Sequence, residues 1–273
     1  VSTTIEYWDV NGTSLNTLAW NIQTLQGRAR VPILRGDDID IPYRAGQVWR
    51  QKFPGPRVLT LAMWVLGCRP DGTVPSISAR AQFNENRDAL LRLFYSPDAQ
   101  ITLTKRWQMS SGLLVASAKA ELVGDMDPGM LGSDGAQFVV DLKLADPYFY
   151  APSSVFNLTL ATGTAVLNNP GHDRIRKGTL RFNGPLTNPR LTNTTAAPDI
   201  WAQYTGVIAG GNWVELDLDL FTAVNQASTS VLSAITHDGA RKWMELLVGN
   251  NSLTLSADAG SGNIAFTTQA PYV

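Results

Sequence analysis

The stretch Phe138–Tyr150, FVVDLKLADPYFY, constrains the fold more than any other in the chain. Phe138, Val140, Leu142 and Leu144 fall on one side of an extended backbone, and Val139, Asp141 and Lys143 fall on the other. That period of two is the signature of a strand buried on one face. Pro147 then ends it, because proline has no N–H for the ladder and drives Asp146 towards an extended conformation. Three rings follow at Tyr148, Phe149 and Tyr150. Either they plug the end of a β-sandwich, or they anchor a contact between domains or subunits; the weight of aromatics in ordinary cores favours the first.

The rest of the chain repeats this texture. Asn11-Gly12 predicts a tight hairpin turn. The run VLTLAMWVLG, Val58–Gly67, is apolar on nearly both faces and predicts a central strand covered on each side. Asp71-Gly72 is a second turn, and FNENRDALLRLFYSP predicts a helix over Phe83–Tyr95 with Phe83, Leu90, Leu91 and Phe94 on one face and Pro97 just beyond its end. Strands are expected around Gln100–Arg106 and Leu113–Gly124. After Tyr150 no segment has helical periodicity. Alternating stretches at Phe156–Asn168, Gly178–Asn183, Ile200–Tyr204, Trp213–Leu218 and Leu253–Ser256, punctuated by Asn, Gly and Pro, predict a β-sandwich or jelly roll. Gly249-Asn250-Asn251 predicts a tight hairpin turn within it, and GSG at Gly260–Gly262 a flexible one. The expected organisation is therefore mainly β in two domains, 1–150 with one helix and 151–273 without.

Composition narrows the function. A length of 273 residues suits two ordinary domains, and 16% charged residues lies below the ~25% of typical soluble domains, as at large subunit interfaces. A formal net charge of -1 gives no electrostatic footprint for holding nucleic acid. The single cysteine, Cys68, rules out an internal disulfide and a Cys-based zinc cage, and its apolar setting predicts a small core residue. No apolar run reaches ~18 residues and no basic n-region opens the sequence, so neither a membrane span nor a secretory route is expected. The acceptor patterns at Asn157 and Asn193 carry little meaning without one.

Catalytic constellations are scarce. His172 and His237 each stand beside an aspartate in turn-like sequence, with no further ligands at metal-site spacing. Gly-x-Ser-x-Gly is absent. Glu215, Asp217 and Asp219 in ELDLDL share a strand face, where i, i+2 neighbours lie about 7 Å apart, within range of a glycosidase pair. A solvated strand face explains the same alternation more simply. The acidic turns Gly36–Asp38 and Gly124–Gly129 lack the ligand set of a calcium loop. No enzyme activity, metal or cofactor is expected.

The order of segments VPILRGDDIDIPYRAGQVW, LTLAMWVLGCRPDG, one helix, then AELVGDMDPGML and AQFVVDLKLADPYFY resembles the N-terminal domain of distal tail proteins, minor tail proteins of long non-contractile-tailed bacteriophages. NPGHDRIRKGTLRFNGPLTNPRLTN, WVELDL and HDGARKWMELLVGNNSLTLS resemble the galectin-like sandwich that follows in the same family. The resemblance spans essentially the whole chain and is one of pattern, with no single fingerprint. It implies a tail-tube-like β-sandwich with one helix over 1–150 and a galectin-like or jelly-roll β-sandwich over 151–273. It further implies a structural virion protein of the tail tip, assembled in the host cytoplasm. Six copies would form a hub ring joining the tail tube and tape-measure protein to the baseplate and host-recognition apparatus, with DNA passing through the lumen unheld. Val139, Tyr148, Phe149 and Tyr150 would then mark a domain or subunit interface. The rival reading is a saccharide-binding receptor module in the C-terminal sandwich, with Trp201, Tyr204, Trp213 and Trp243 as stacking platforms for a host glycan.

Overall fold

A computed structural model describes residues 6–26, 32–40, 47–48, 52–110, 112–126, 129–238 and 243–273. It is mainly β with one α-helix among these residues, and it divides into two compact units, one ending at Phe149 and the other running Tyr150–Tyr272. The acidic turn at 124–129 and the segment after His237 lie partly outside the described residues.

In the first unit antiparallel strands run in the order Thr13–Ser14, Tyr7–Val10, Ile101–Met109, Gly112–Val123, Gly135–Leu144, Arg57–Leu66, Trp20–Gln26. The long Gly112–Val123 strand changes partner part-way. Its residues up to Ala120 pair with Ile101–Met109, and Glu121, Leu122 and Val123 pair with Lys143, Leu142 and Asp141. Phe138, Val140, Leu142 and Leu144 are fully buried, as are Leu59, Leu61, Met63 and Val65 beside them. The Arg57–Leu66 strand is not central but next to the Trp20–Gln26 edge strand, and only one of its faces is covered: Val58 and Leu66 are exposed and Thr60, Ala62 and Trp64 half-buried. Its continuous apolar run therefore reflects an outer face that this unit leaves open.

The helix spans Ala79–Phe94, beginning four residues earlier than its apolar periodicity predicts, because the Ser78 hydroxyl accepts the Ala81 N–H and caps it there. Phe83, Leu90 and Phe94 are buried along with Asn86, whereas Leu91 is only half-buried. The Asn86 amide donates to the carbonyls of Leu66 and Cys68, each at 2.7 Å, and ties the helix to the end of the Arg57–Leu66 strand. Cys68 is not a core residue. It is partly exposed, and its thiol donates to the Leu18 carbonyl at 2.9 Å. Asn11 and Gly12 both have positive φ (49° and 81°) at the tip of the first hairpin, the geometry that Asn-Gly turns adopt.

The second unit is a sandwich of two five-stranded antiparallel sheets. One has the order Ser154–Thr159, Asn263–Thr268, Gly178–Asn183, Trp213–Asp217, Thr222–Asn225; the other has Thr164–Asn169, Gly249–Ser256, Arg190–Asn193, Ile200–Tyr204, Ile235–His237. Leu180, Phe182, Leu216, Ile264 and Phe266 from the first and Leu191, Ile200, Ala202, Leu253 and Leu255 from the second share one core. The alternating stretch from Phe156 to Asn168 is two strands rather than one, placed in different sheets.

The hairpin expected at Gly249-Asn250-Asn251 does not form. These residues open the Gly249–Ser256 strand and pair with Asn169, Asn168 and Leu167. The turn lies just before them and is made by a side chain. Asn251 is fully buried; its Oδ1 accepts the Leu247 N–H, and its Nδ2 donates to the carbonyls of Leu247 and Gly249 at 2.8 and 2.9 Å. Asn193 joins the network by donating to Asn251 Oδ1 and the Glu245 carbonyl, so its acceptor pattern is buried and structural.

Candidate interaction surfaces

The first surface is the outer face of the N-terminal sheet. Val139 is 50% exposed, opposite Ala62, with Gln137 opposite Trp64 and Lys143 opposite Val58. Val58, Leu66 and Val123 add exposed apolar area to this face. Its polar groups are partnered among themselves: Lys143 pairs with Glu121 at 2.8 Å, the Thr60 hydroxyl donates to Asp141, and the Gln137 amide donates to Gln23. The result is a mixed face with no unbalanced charge cluster.

The aromatic segment resolves into separate tasks. Asp146 Oδ1 accepts the Tyr148 N–H, forming the turn that follows the strand. Phe149 is buried in the first unit, edge-on to Trp8 with ring centroids 5.7 Å apart and beneath the Arg57 guanidinium at 5.2 Å. Burial pushes Arg57 down to about 10, an effect that the neighbouring Tyr148 opposes. Tyr150 begins the second unit, with the Lys177 ammonium 5.1 Å from its ring centre. Phe149 is thus a core plug of the first unit.

The aromatic residues of the second unit separate by sheet. Trp213 and Trp201 are half-buried on the outer faces of the two different sheets, and each carries an arginine over its ring: Arg181 at 4.3 Å and Arg190 at 4.1 Å. Tyr204 is half-buried, with Gly206 so close to its ring that an added Cβ would stand 2.8 Å from its hydroxyl. Trp243 is 5% exposed, packs edge-on against Phe221 and offers no open ring face, so it is not a stacking platform.

The three acidic residues of ELDLDL do not converge. The strand ends at Asp217, Glu215 is held by Arg181 at 2.6 Å, Asp217 Oδ1 accepts the N–H groups of Asp219 and Leu220, and Asp219 stands 3.9 Å from Lys177. His172 packs edge-on to Tyr272 and His237 lies 3.9 Å from Asp238. Among the described residues no group of three or more His, Cys, Asp or Glu side chains is placed to hold a metal ion, and no helix is long and apolar enough to cross a membrane. A cavity of about 490 Å³ after the helix is lined by Tyr95, Ser96, Asp98, Gln100 and Glu121 among others.

These surfaces belong to a two-unit β protein, its first unit a one-helix sheet with an open mixed face and its second a two-sheet sandwich. Among solved structures, the crystal structure of the SPP1 Dit protein, described as a paradigm of hub adsorption apparatus in Gram-positive-infecting phages, is similar with a TM-score of 0.64 and 16% identity. The likeness covers 97% of this chain and 99% of that one, and it establishes a shared fold over both units. Chains of the phage p2 baseplate in its activated conformation, with strontium and with calcium, align at TM-scores of 0.44 and 0.40 and identities of 7% and 6%, covering 97% of this chain and 98% of theirs. No protein-family model matches the sequence, and comparison with curated proteins gives no significant match.

Proposed function

We propose that the protein is a structural subunit of a phage tail tip, a distal tail protein that closes a hub ring of six copies through its N-terminal unit. The observation that carries this reading is the end-to-end correspondence of fold with SPP1 Dit, both units in the same order with almost nothing left over in either chain. The open outer face around Val139, Ala62 and Trp64 supports it, since half-exposed apolar strand residues are what a neighbouring protein surface covers. In this reading the ring joins the tail tube and tape-measure protein to the host-recognition apparatus. DNA crosses its lumen during ejection without being held, consistent with a net charge of -1. The role requires no catalysis.

Light scattering of the purified chain tests the stoichiometry. Six times the chain mass at micromolar concentration, with six-fold rings in negative-stain images, is the expected result. A monomer at every concentration, both alone and in virions, overturns it.

A further inference from the structure

The two tryptophan–arginine pairs of the second unit are alike in geometry and opposite in electrostatics. Arg181 lies over Trp213 and is neutralised, its Nε and Nη2 donating to Glu215 Oε2 at 2.9 and 2.6 Å. Arg190 lies over Trp201 with no carboxylate partner among the described residues, and its Nε is buried without an acceptor. Both residues project from the outer face, since their strand neighbours Leu191, Ile200 and Ala202 are in the core. The register surrounds the pair with short polar side chains: Thr192 stands opposite Trp201 and Thr254, while Arg190 stands opposite Gln203 and Ser256.

A guanidinium stacked on an indole is oriented and partly dehydrated; with Nε buried, the two Nη groups of Arg190 are the parallel donors left to match the two oxygens of a carboxylate or phosphate. The neighbouring hydroxyls and the Gln203 amide suit the hydroxyl rim of a sugar. A peptide is disfavoured by topology. Arg190–Asn193 and Ile200–Tyr204 are interior strands paired on both sides, so no free edge is available for strand addition at this spot. We propose that Arg190 and Trp201 form a binding site for an acidic saccharide, a sugar bearing a carboxylate or phosphate, and that the Arg181–Trp213 pair on the opposite sheet does not. The inference is independent of ring formation, because every residue involved lies in one subunit's second unit.

Titration calorimetry of the full chain with methyl β-glucuronide, glucose 6-phosphate, methyl β-glucoside and acetate tests it. One or both acidic sugars should bind at least about tenfold more tightly than the glucoside, the scale of a charged hydrogen-bonded contact, and binding should weaken as salt rises. The arm that binds better identifies the acid. Arg190→Gln should reduce binding to the glucoside level with an unchanged melting curve, Arg190→Lys should give an intermediate loss, and Arg181→Gln should change nothing. If Arg190→Gln fails to fold, the salt dependence and the acid-to-neutral ratio of the wild type decide. Equal binding of acidic and neutral sugars, no binding of any sugar, or retention of affinity in a folded Arg190→Gln variant overturns the proposal. Acetate binding as tightly as the acidic sugars also overturns it, by making the site a receptor for any carboxylate, including an acidic side chain of another protein.

Discussion

Val139→Asp separates folding from assembly, and its effect can be worked from the structure. Val139 is half-exposed on the outer face of the Gly135–Leu144 strand, so an aspartate there keeps its carboxylate in water in the isolated subunit. The cost to folding is then confined to strand propensity, no more than ~1 kcal/mol. In a closed ring whose contacts cover this face, the variant loses the remaining apolar burial, about 1 kcal/mol for half a valine. It also buries a carboxylate beside Asp141, which shares its face two residues along, with no cation added to pair it. Even after relaxation that desolvation costs several kcal/mol. A total of roughly 4 kcal/mol per contact weakens association on the order of 10³-fold, and the defect recurs at every interface of a heterologous ring. Scattering and negative-stain imaging should show monomers where wild type forms rings, with the thermal transition of the second unit unchanged. Val139→Thr, of similar shape and uncharged, should still assemble at raised concentration. If Val139→Asp assembles as wild type does, the face around Val139 is not the contact.

Asn251→Ala should lower the unfolding free energy by about 2–4 kcal/mol in denaturant titration, since it removes the acceptor of the half-buried Leu247 N–H and one of the two acceptors of the buried Asn193 amide, whereas Asn250→Ala, at an exposed position, should be near neutral. Gly178→Ala should cost at least about 2 kcal/mol by the same measurement: φ is 137° and a Cβ would stand 2.1 Å from the Thr267 carbonyl oxygen, in the strand pair that both residues occupy. Arg57→Met should leave stability unchanged or raise it by up to ~2 kcal/mol at neutral pH, because burial opposes the charge and holds the group near 10. The sign follows from linkage. With the folded value below the unfolded one, the folded state binds fewer protons between the two, so wild type should gain stability relative to Arg57→Met only as pH rises through and above about 10. A loss above 1 kcal/mol in Arg57→Met would mean that its contact with Phe149 outweighs the desolvation.

Strand faces were legible wherever one side met a core, because alternation is a direct imprint of the pleat: Phe138, Val140, Leu142 and Leu144 are all buried. Hydrophobicity alone overstated the cover of Arg57–Leu66, since apolar residues on an open face read the same as those under a second layer. The helix begins ahead of its apolar periodicity because its cap, Ser78, precedes Phe83 by five residues. The strand at Gly249–Asn251 departs from its turn-like sequence for a different reason. Gly and Asn do signal positive φ, and Gly249 has φ of 87°, but the sequence does not say which asparagine is buried. Asn251 makes the turn with its side chain and lets the backbone run straight on as a strand.

The surfaces were less legible than the strands because their chemistry depends on pairing across the sheet. Trp201 and Trp213 look alike in the sequence, each the aromatic member of an alternating strand, and Arg181 and Arg190 stand nine positions apart with similar neighbours. What distinguishes them is register. Glu215 lies 34 residues from Arg181 and directly opposite it, so that guanidinium is neutralised. Arg190 meets Gln203 and Ser256 at the corresponding positions. Net charge could not reveal this, because a chain of charge -1 can hold every ion pair closed or leave one cation open. An open cation on an aromatic platform is the kind of feature from which specific recognition is built. If six copies close into a ring, each brings one such site, and weak single-site affinity for an acidic glycan becomes strong attachment through multivalency wherever the glycan repeats at a spacing the ring can span.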